Sequence, residues 1–182
     1  MELEATEEDV WTGKLFFTEF DRRGSVSAKS EWTHSCLRTP ALTEEICGNH
    51  NITVVRLYRK HVNAATHALA HRAFVVFKTE GNWKYSIEKN KHGITLQRSK
   101  CLSDILHSAS EGIAETEEQT GRGTIAKVVH FLWENNYLEE HYHPLRSNSS
   151  QFARRIFSAF SYRNPVHRQH QDDSSDEDPG KN

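Results

Sequence analysis

Short apolar segments separated by turn residues in the middle of the chain constrain its fold more than any other feature. Segment 72–78 is a short apolar run, and segments 83–89 and 94–98 alternate between apolar and polar residues. Alternation with a period of two is typical of β-strands. The linking segments 80–82 and 90–93 contain glycine and asparagine, which favour tight hairpin turns. Sequential strands joined by short turns pair as an antiparallel meander, and this is the sheet that we predict.

A preceding strand and three following helices complete the predicted architecture. Segment 52–59 is rich in β-branched and aromatic residues, as strands usually are. The dipeptide Ser103-Asp104 is suited to cap a short helix, and Thr124 is suited to cap a second one whose apolar residues recur at helical spacing. A last helix is predicted over about 150–160. Strands followed by helices predict an α+β fold, in which an antiparallel β-meander packs against helices.

The length of 182 residues fits one domain with tails. We predict a single α+β domain over 11–163, with its core at about 52–160. Segments 1–10 and 164–182 are predicted to be disordered, and the second of them is an acidic tail without an apolar core. Segment 11–50 receives no assignment of strands or helices, and part of it is expected to cover the main domain.

Charge and hydropathy exclude several classes of protein. The net charge is −2, and segment 168–182 alone, with five acidic and two basic residues, carries −3, so the rest of the chain is close to neutral at +1. It lacks the broad positive field that nonspecific binding of nucleic acid requires. No window approaches the roughly 18 consecutive apolar residues of a transmembrane segment. An acidic N-terminus and three cysteines, expected to be reduced, predict a cytoplasmic or nuclear protein, and its oligomeric state stays open.

Two polar residues at the ends of predicted elements favour acyl chemistry. His71 precedes the apolar strand, and Ser149 lies at the start of the last helix. A nucleophile at a helix N-terminus gains from the unpaired amides and the positive end of the helix dipole. A histidine held on a strand can act as its general base, and Glu88 on the neighbouring strand can orient the imidazole. His71, Ser149 and Glu88 are therefore the candidate catalytic residues.

This order of elements resembles a known family. A histidine before an apolar strand, a β-meander and the segment Asn-Ser-Ser-Gln-Phe at 148–152 are similar to the layout of the LRAT-like, or NC-domain, proteins. These proteins are circularly permuted papain-like relatives of the NlpC-type peptidases. The resemblance spans about 71–160, and it implies a permuted papain-like fold. It also implies a cysteine, served by an upstream histidine, that attacks a thioester, ester or amide carbonyl of a lipid acyl group or a peptide.

One departure from the family concerns the nucleophile. With Asn148 and Phe152 aligned, the position of the family's cysteine holds Ser149. A helix terminus and an imidazolium can convert a thiol to a thiolate, whereas a serine hydroxyl needs concerted proton transfer to His71 and a good oxyanion hole. Two hypotheses follow: a serine-variant acyltransferase or hydrolase, or a degenerate domain that kept the fold and lost the chemistry. We favour the second, and a noncatalytic module that binds a peptide or a lipid acyl group is the alternative.

Each candidate residue also has a simpler structural interpretation. Ser149 or Ser150 is suited to be the N-cap of the last helix. His71 is suited to a structural role beside its strand. Glu88 lies between two lysines, which is typical of a solvated face.

A zinc-binding domain is a further alternative. His34, Cys36, Cys47 and His50 supply two imidazoles and two thiols, the side chains that tetrahedral zinc prefers. The usual pair of cysteines separated by two to four residues is missing. We therefore assign neither a metal nor a cofactor.

Overall fold

A seven-stranded sheet is the centre of the fold in the computed structural model. The structure describes residues 11–39, 43–44, 47–60, 72–107, 113–144 and 146–162. Within these residues the strands are β1 (Lys14–Phe20), β2 (Val26–Thr33), β3 (Ile52–Lys60), β4 (Arg72–Thr79), β5 (Lys84–Lys89), β6 (Ile94–Ser99) and β7 (Ile113–Thr120). They lie side by side in the order β2-β1-β6-β5-β4-β3-β7.

The predicted meander forms the middle of this sheet. Strands β3, β4, β5 and β6 pair antiparallel in sequential order. The strand predicted over 52–59 is β3, and it pairs with the first of the three predicted meander strands. Strand β4 is buried on both faces over most of its length, as its apolar run predicts. The antiparallel meander of the sequence analysis is therefore confirmed.

The unassigned N-terminal segment contributes a hairpin to the sheet. Strands β1 and β2 pair antiparallel, and β1 also pairs in parallel with β6, where Leu15 faces Ile94. Leu15 and Phe17 are buried in the main core, which explains the apolar start of this segment. The turn between the strands uses Gly24 at φ +75°, a conformation that glycine adopts readily. The hairpin thus extends the sheet. Farther along the same segment, Leu37 and Cys47 are buried in the main core, so part of segment 11–50 does pack on the domain as expected.

Strand β7 has no counterpart in the sequence analysis. Its sequence, Ile-Ala-Glu-Thr-Glu-Glu-Gln-Thr, has few apolar residues and is almost fully exposed. It is the edge strand beside β3, and charged side chains on an edge strand oppose pairing with another chain. An acidic edge strand lacks the apolar alternation by which a strand is predicted.

Four helices are assigned within the described residues: α1 (His34–Leu37), α2 (Leu102–His107), α3 (Ile125–Glu134) and α4 (Ser149–Phe160). The side chain of Thr124 accepts a hydrogen bond from the backbone N–H of Lys127, so the predicted cap of α3 is confirmed. Helix α4 packs on β3, β4 and β5. The fold is a mixed α+β fold with helices against a largely antiparallel sheet, as predicted.

The two faces of the sheet differ in what covers them. On one face α3 and α4 pack over a large apolar core that includes Ala73, Val75 and Ile87. The other face carries a small cluster of Tyr58, Phe74, Val76 and Ile105, and Ile105 belongs to α2. Residues of β4 and β5 therefore point alternately to the large core and to the small cluster.

The predicted disorder of 1–10 and 164–182 falls on residues outside those described. Among the described residues, no helix combines the length and the apolar character needed to cross a membrane.

Candidate functional site

Helix α4 begins at an asparagine cap rather than a serine cap. The side-chain oxygen of Asn148 accepts a hydrogen bond from the N–H of Gln151 at 3.0 Å, and its amide donates to the carbonyl of Pro144 at 2.8 Å. Asn148 is extended, as an N-cap residue usually is. The prediction that Ser149 or Ser150 caps this helix was therefore wrong, although asparagine is an equally good cap and stood in the same segment.

Ser149 lies against the start of β4. Its Oγ accepts a hydrogen bond from the backbone N–H of Ala73 at 3.3 Å, and the residue is 3% exposed. The described pairing of β4 with β5 begins at Val75, so Ala73 lies beyond that ladder. The Ser149 hydroxyl therefore satisfies a buried backbone donor that has no partner strand on that side.

The predicted base, His71, lies outside the described residues. It precedes β4 by one position and Ala73 by two. The strand that follows it is thus the one that Ser149 contacts.

The structure does not bring Glu88 and Ser149 together. Ser149 lies on the large-core face, whereas Glu88 lines a pocket with Phe74 and Ile105 on the opposite face. Burial raises the pKa of Glu88, and the positive charges of Arg72 and Lys60 act in the opposite direction. Glu88 is partly buried, so the prediction of a solvated residue between two lysines was wrong.

A buried lysine next to Glu88 is the residue that the sequence analysis missed. Lys89 is 0% exposed. Its Nζ donates to Ser147 Oγ at 2.6 Å, to the carbonyl of Glu140 at 2.6 Å and to the Glu140 carboxylate at 3.2 Å. It also lies 5.0 Å from the ring centroid of Trp11. An ammonium group has three donors, and here all three have acceptors.

Lys89 fixes the chain that leads into α4. Burial lowers its pKa, while the hydrogen bond and charge of Glu140 raise it. With all three protons donated, one of them to a carboxylate, the ammonium group is not placed to take a proton from Ser147. The arrangement is an anchor rather than a nucleophile with its base. The sequence does indicate that Lys89 is buried, because alternate residues of a strand share a face and Lys89 alternates with the buried Tyr85 and Ile87.

The zinc ligands of the alternative hypothesis do not assemble. Among the described residues, which include His34, Cys36, Cys47 and His50, no group of three or more potential ligands is placed to hold a metal ion. Burial raises the pKa of Cys47 to about 12.

The contact of Ser149 with β4 predicts a loss of stability. Ser149→Ala leaves the N–H of Ala73 buried without an acceptor, so we expect the free energy of unfolding to fall by about 1–3 kcal/mol. Chemical denaturation monitored by circular dichroism measures the change. Ser158→Ala is the matched control, because Ser158 is exposed on the same helix. Equal stability of the two variants would contradict a structural role for the Ser149 hydroxyl.

Comparison of the chain with models of known protein families, with curated proteins and with solved structures finds no match. The function must therefore be inferred from the residues and their geometry.

Proposed function

We propose that this chain is an LRAT-like, permuted papain-like domain that kept the layout of the family's site and lost its covalent chemistry. In this proposal it is a degenerate relative of acyltransferases and thiol hydrolases, and it acts as a noncatalytic module that binds a peptide or a lipid acyl group. The observation that carries the proposal is the contact of Ser149 with the start of β4.

The position of Ser149 supports the layout. It is the first residue of α4, where the resemblance expects the nucleophile, and it contacts the strand that directly follows His71 in the sequence. In the family this strand follows the catalytic histidine. The positive end of the dipole of this 12-residue helix also lies at this point.

The state of Ser149 supports the loss of catalysis. A nucleophile must reach its substrate, yet Ser149 is 3% exposed and its oxygen already accepts a hydrogen bond. A serine hydroxyl is far more basic than a thiol and needs a strong base to become nucleophilic. Glu88 does not contact Ser149, because it lines a pocket on the other face of the sheet. Its predicted role is to orient His71, which lies outside the described residues.

Labelling with a fluorophosphonate tests the absence of serine chemistry. We expect no covalent adduct on Ser149 in the folded wild-type protein, as measured by intact mass and peptide mapping. An adduct that disappears in both Ser149→Ala and His71→Ala would instead identify an active serine hydrolase, and the noncatalytic proposal would be wrong.

A thiol at the same position tests the retained layout. In the layout of the family, a helix N-terminus and a histidine imidazolium stabilise a thiolate. If this layout is retained, the thiol in Ser149→Cys is expected to have a pKa of about 7.5 or lower in spite of its burial. The ultraviolet absorbance of the thiolate, taken as a difference from the wild-type protein, gives this pKa without needing access for a reagent.

Two variants control that titration. Ser158→Cys places a thiol on an exposed position of the same helix and is expected to titrate near 8.5. In Ser149→Cys combined with His71→Ala, the pKa is expected to move back toward that of the control. If Ser149→Cys itself titrates like Ser158→Cys, the chain does not hold the site layout of the family.

A further inference from the structure

A pocket of about 230 Å³ lies on the sheet face opposite Ser149. Its floor is formed by β4, β5 and β6, and Ile105 of α2 forms one side. Side chains held on strands and packed by a helix keep their positions, which favours specific binding of a small molecule. The residues that matter here are Arg72, Glu88, Ser86, Gln97, Phe74 and Ile105.

Two opposite charges line this pocket without pairing. The positive charge of Arg72 is close enough to lower the pKa of the Glu88 carboxyl, although burial raises that pKa by more. Neither Glu88 nor Arg72 takes part in an ion pair within the described residues. Neither side chain has a hydrogen bond within the described part of the chain. The carboxyl of Glu88 can therefore accept hydrogen bonds from a ligand, and the guanidinium of Arg72 can donate hydrogen bonds to it.

The remaining lining consists of two polar pairs and an apolar part. In the first pair, the side-chain amide of Asn90 donates to Thr95 Oγ1 at 3.2 Å. Ser86 Oγ donates to Gln97 Oε1 at 3.2 Å, so these two side chains satisfy each other in part. Phe74 and Ile105 are buried members of the small apolar cluster and provide an apolar wall. A ligand for this pocket therefore has groups of both charges and a short apolar group.

We propose that this pocket binds a free aliphatic amino acid as its zwitterion, with the ammonium group on Glu88, the carboxylate on Arg72 and the side chain against Phe74 and Ile105. The volume of about 230 Å³ is below the roughly 300–1,000 Å³ of pockets for drug-sized ligands, so the pocket suits a smaller molecule such as an amino acid. The site is separate from Ser149 and goes beyond the proposed function.

The charges of the pocket disfavour simpler ligands. A cation alone would meet the positive charge of Arg72 in the same pocket. An anion alone would meet the carboxylate of Glu88. A zwitterion pairs with both signs at once, and the planar guanidinium of arginine binds a carboxylate through two parallel hydrogen bonds.

Isothermal titration calorimetry of the full chain near neutral pH tests the proposal with L-valine and L-leucine as probes. We expect saturable binding of at least one of them. Isobutylamine carries only the ammonium group and isobutyrate only the carboxylate, and both are expected to bind at least tenfold more weakly. Glu88→Gln and Arg72→Gln are each expected to weaken binding of the amino acid at least tenfold.

Two surface substitutions serve as matched controls. Glu31→Gln and Arg122→Gln remove the same charges at exposed positions away from the pocket and are expected to leave binding unchanged. Circular dichroism establishes that each variant is folded before its affinity is compared. The proposal is overturned by an absence of saturable binding to both amino acids, by wild-type affinity in both pocket variants, or by equal binding of a singly charged probe.

Discussion

Lys89→Ala is expected to lower the free energy of unfolding by about 3 kcal/mol or more. The substitution leaves a cavity beside the ring of Trp11. It also removes the hydrogen-bond donor of Ser147 and the ion-pair partner of Glu140. Large-to-small changes in a core cost about 2–5 kcal/mol, and lost anchoring of the chain before α4 adds to that cost. Thermal and denaturant unfolding monitored by circular dichroism measure the change.

Two further variants show whether the charge or the packing of Lys89 matters more. Lys89→Met keeps most of the volume and removes the charge, so we expect a smaller loss than in Lys89→Ala, because removing the ammonium also removes its desolvation cost. Lys29→Ala, at an exposed position of β2, is expected to change the stability by less than about 0.5 kcal/mol. A loss in Lys89→Ala as small as that in Lys29→Ala would show that Lys89 is not an anchor.

Phe160→Ala is expected to destabilise the fold by about 3–5 kcal/mol. Phe160 is 6% exposed and makes edge-to-face contacts with Phe77 of β4 at 6.1 Å and with Phe131 of α3 at 5.5 Å between ring centroids. It therefore joins the end of α4 to both the sheet and the neighbouring helix. Roughly 2–4 °C of melting temperature per kcal/mol is expected for a chain of this size.

The aromatic residue two positions later provides the control for that experiment. Tyr162 is 54% exposed, and Tyr162→Ala removes a similar side chain from the surface. We expect this variant to unfold within a few degrees of the wild-type protein. If Phe160→Ala and Tyr162→Ala had the same melting temperature, the end of α4 would not depend on the aromatic contacts of Phe160.

The alternation of residues predicted the middle of the sheet but not its edges. Strands β4, β5 and β6 have one or both faces buried, and burial is what imposes apolar periodicity on a sequence. Strands β2 and β7 are edge strands with exposed faces, so solvent imposes no pattern on them. The parallel pairing of β1 with β6 depends on distant segments, which local patterns do not encode.

The candidate site was predictable only where local sequence rules determine the structure. The start of α4 follows from local rules for helix ends, and its observed start at Ser149 lies one residue from the predicted one. The separation of Glu88 from Ser149 depends on which face of the sheet α4 covers, a matter of tertiary packing. The burial of Lys89 was predictable because it lies two residues after Ile87 on the same strand face. Lysine is so rarely buried, however, that its residue type argued against that prediction.

The parallel pairing of β1 with β6 has a consequence for biosynthesis. Leu15 and Phe17 leave the ribosome well before Ile94 and Leu96, their partners in the sheet. Closing so long a loop is entropically costly, and such distant contacts slow folding. The N-terminal hairpin therefore docks only after β6 has been made, and until then its apolar side chains are available to chaperones.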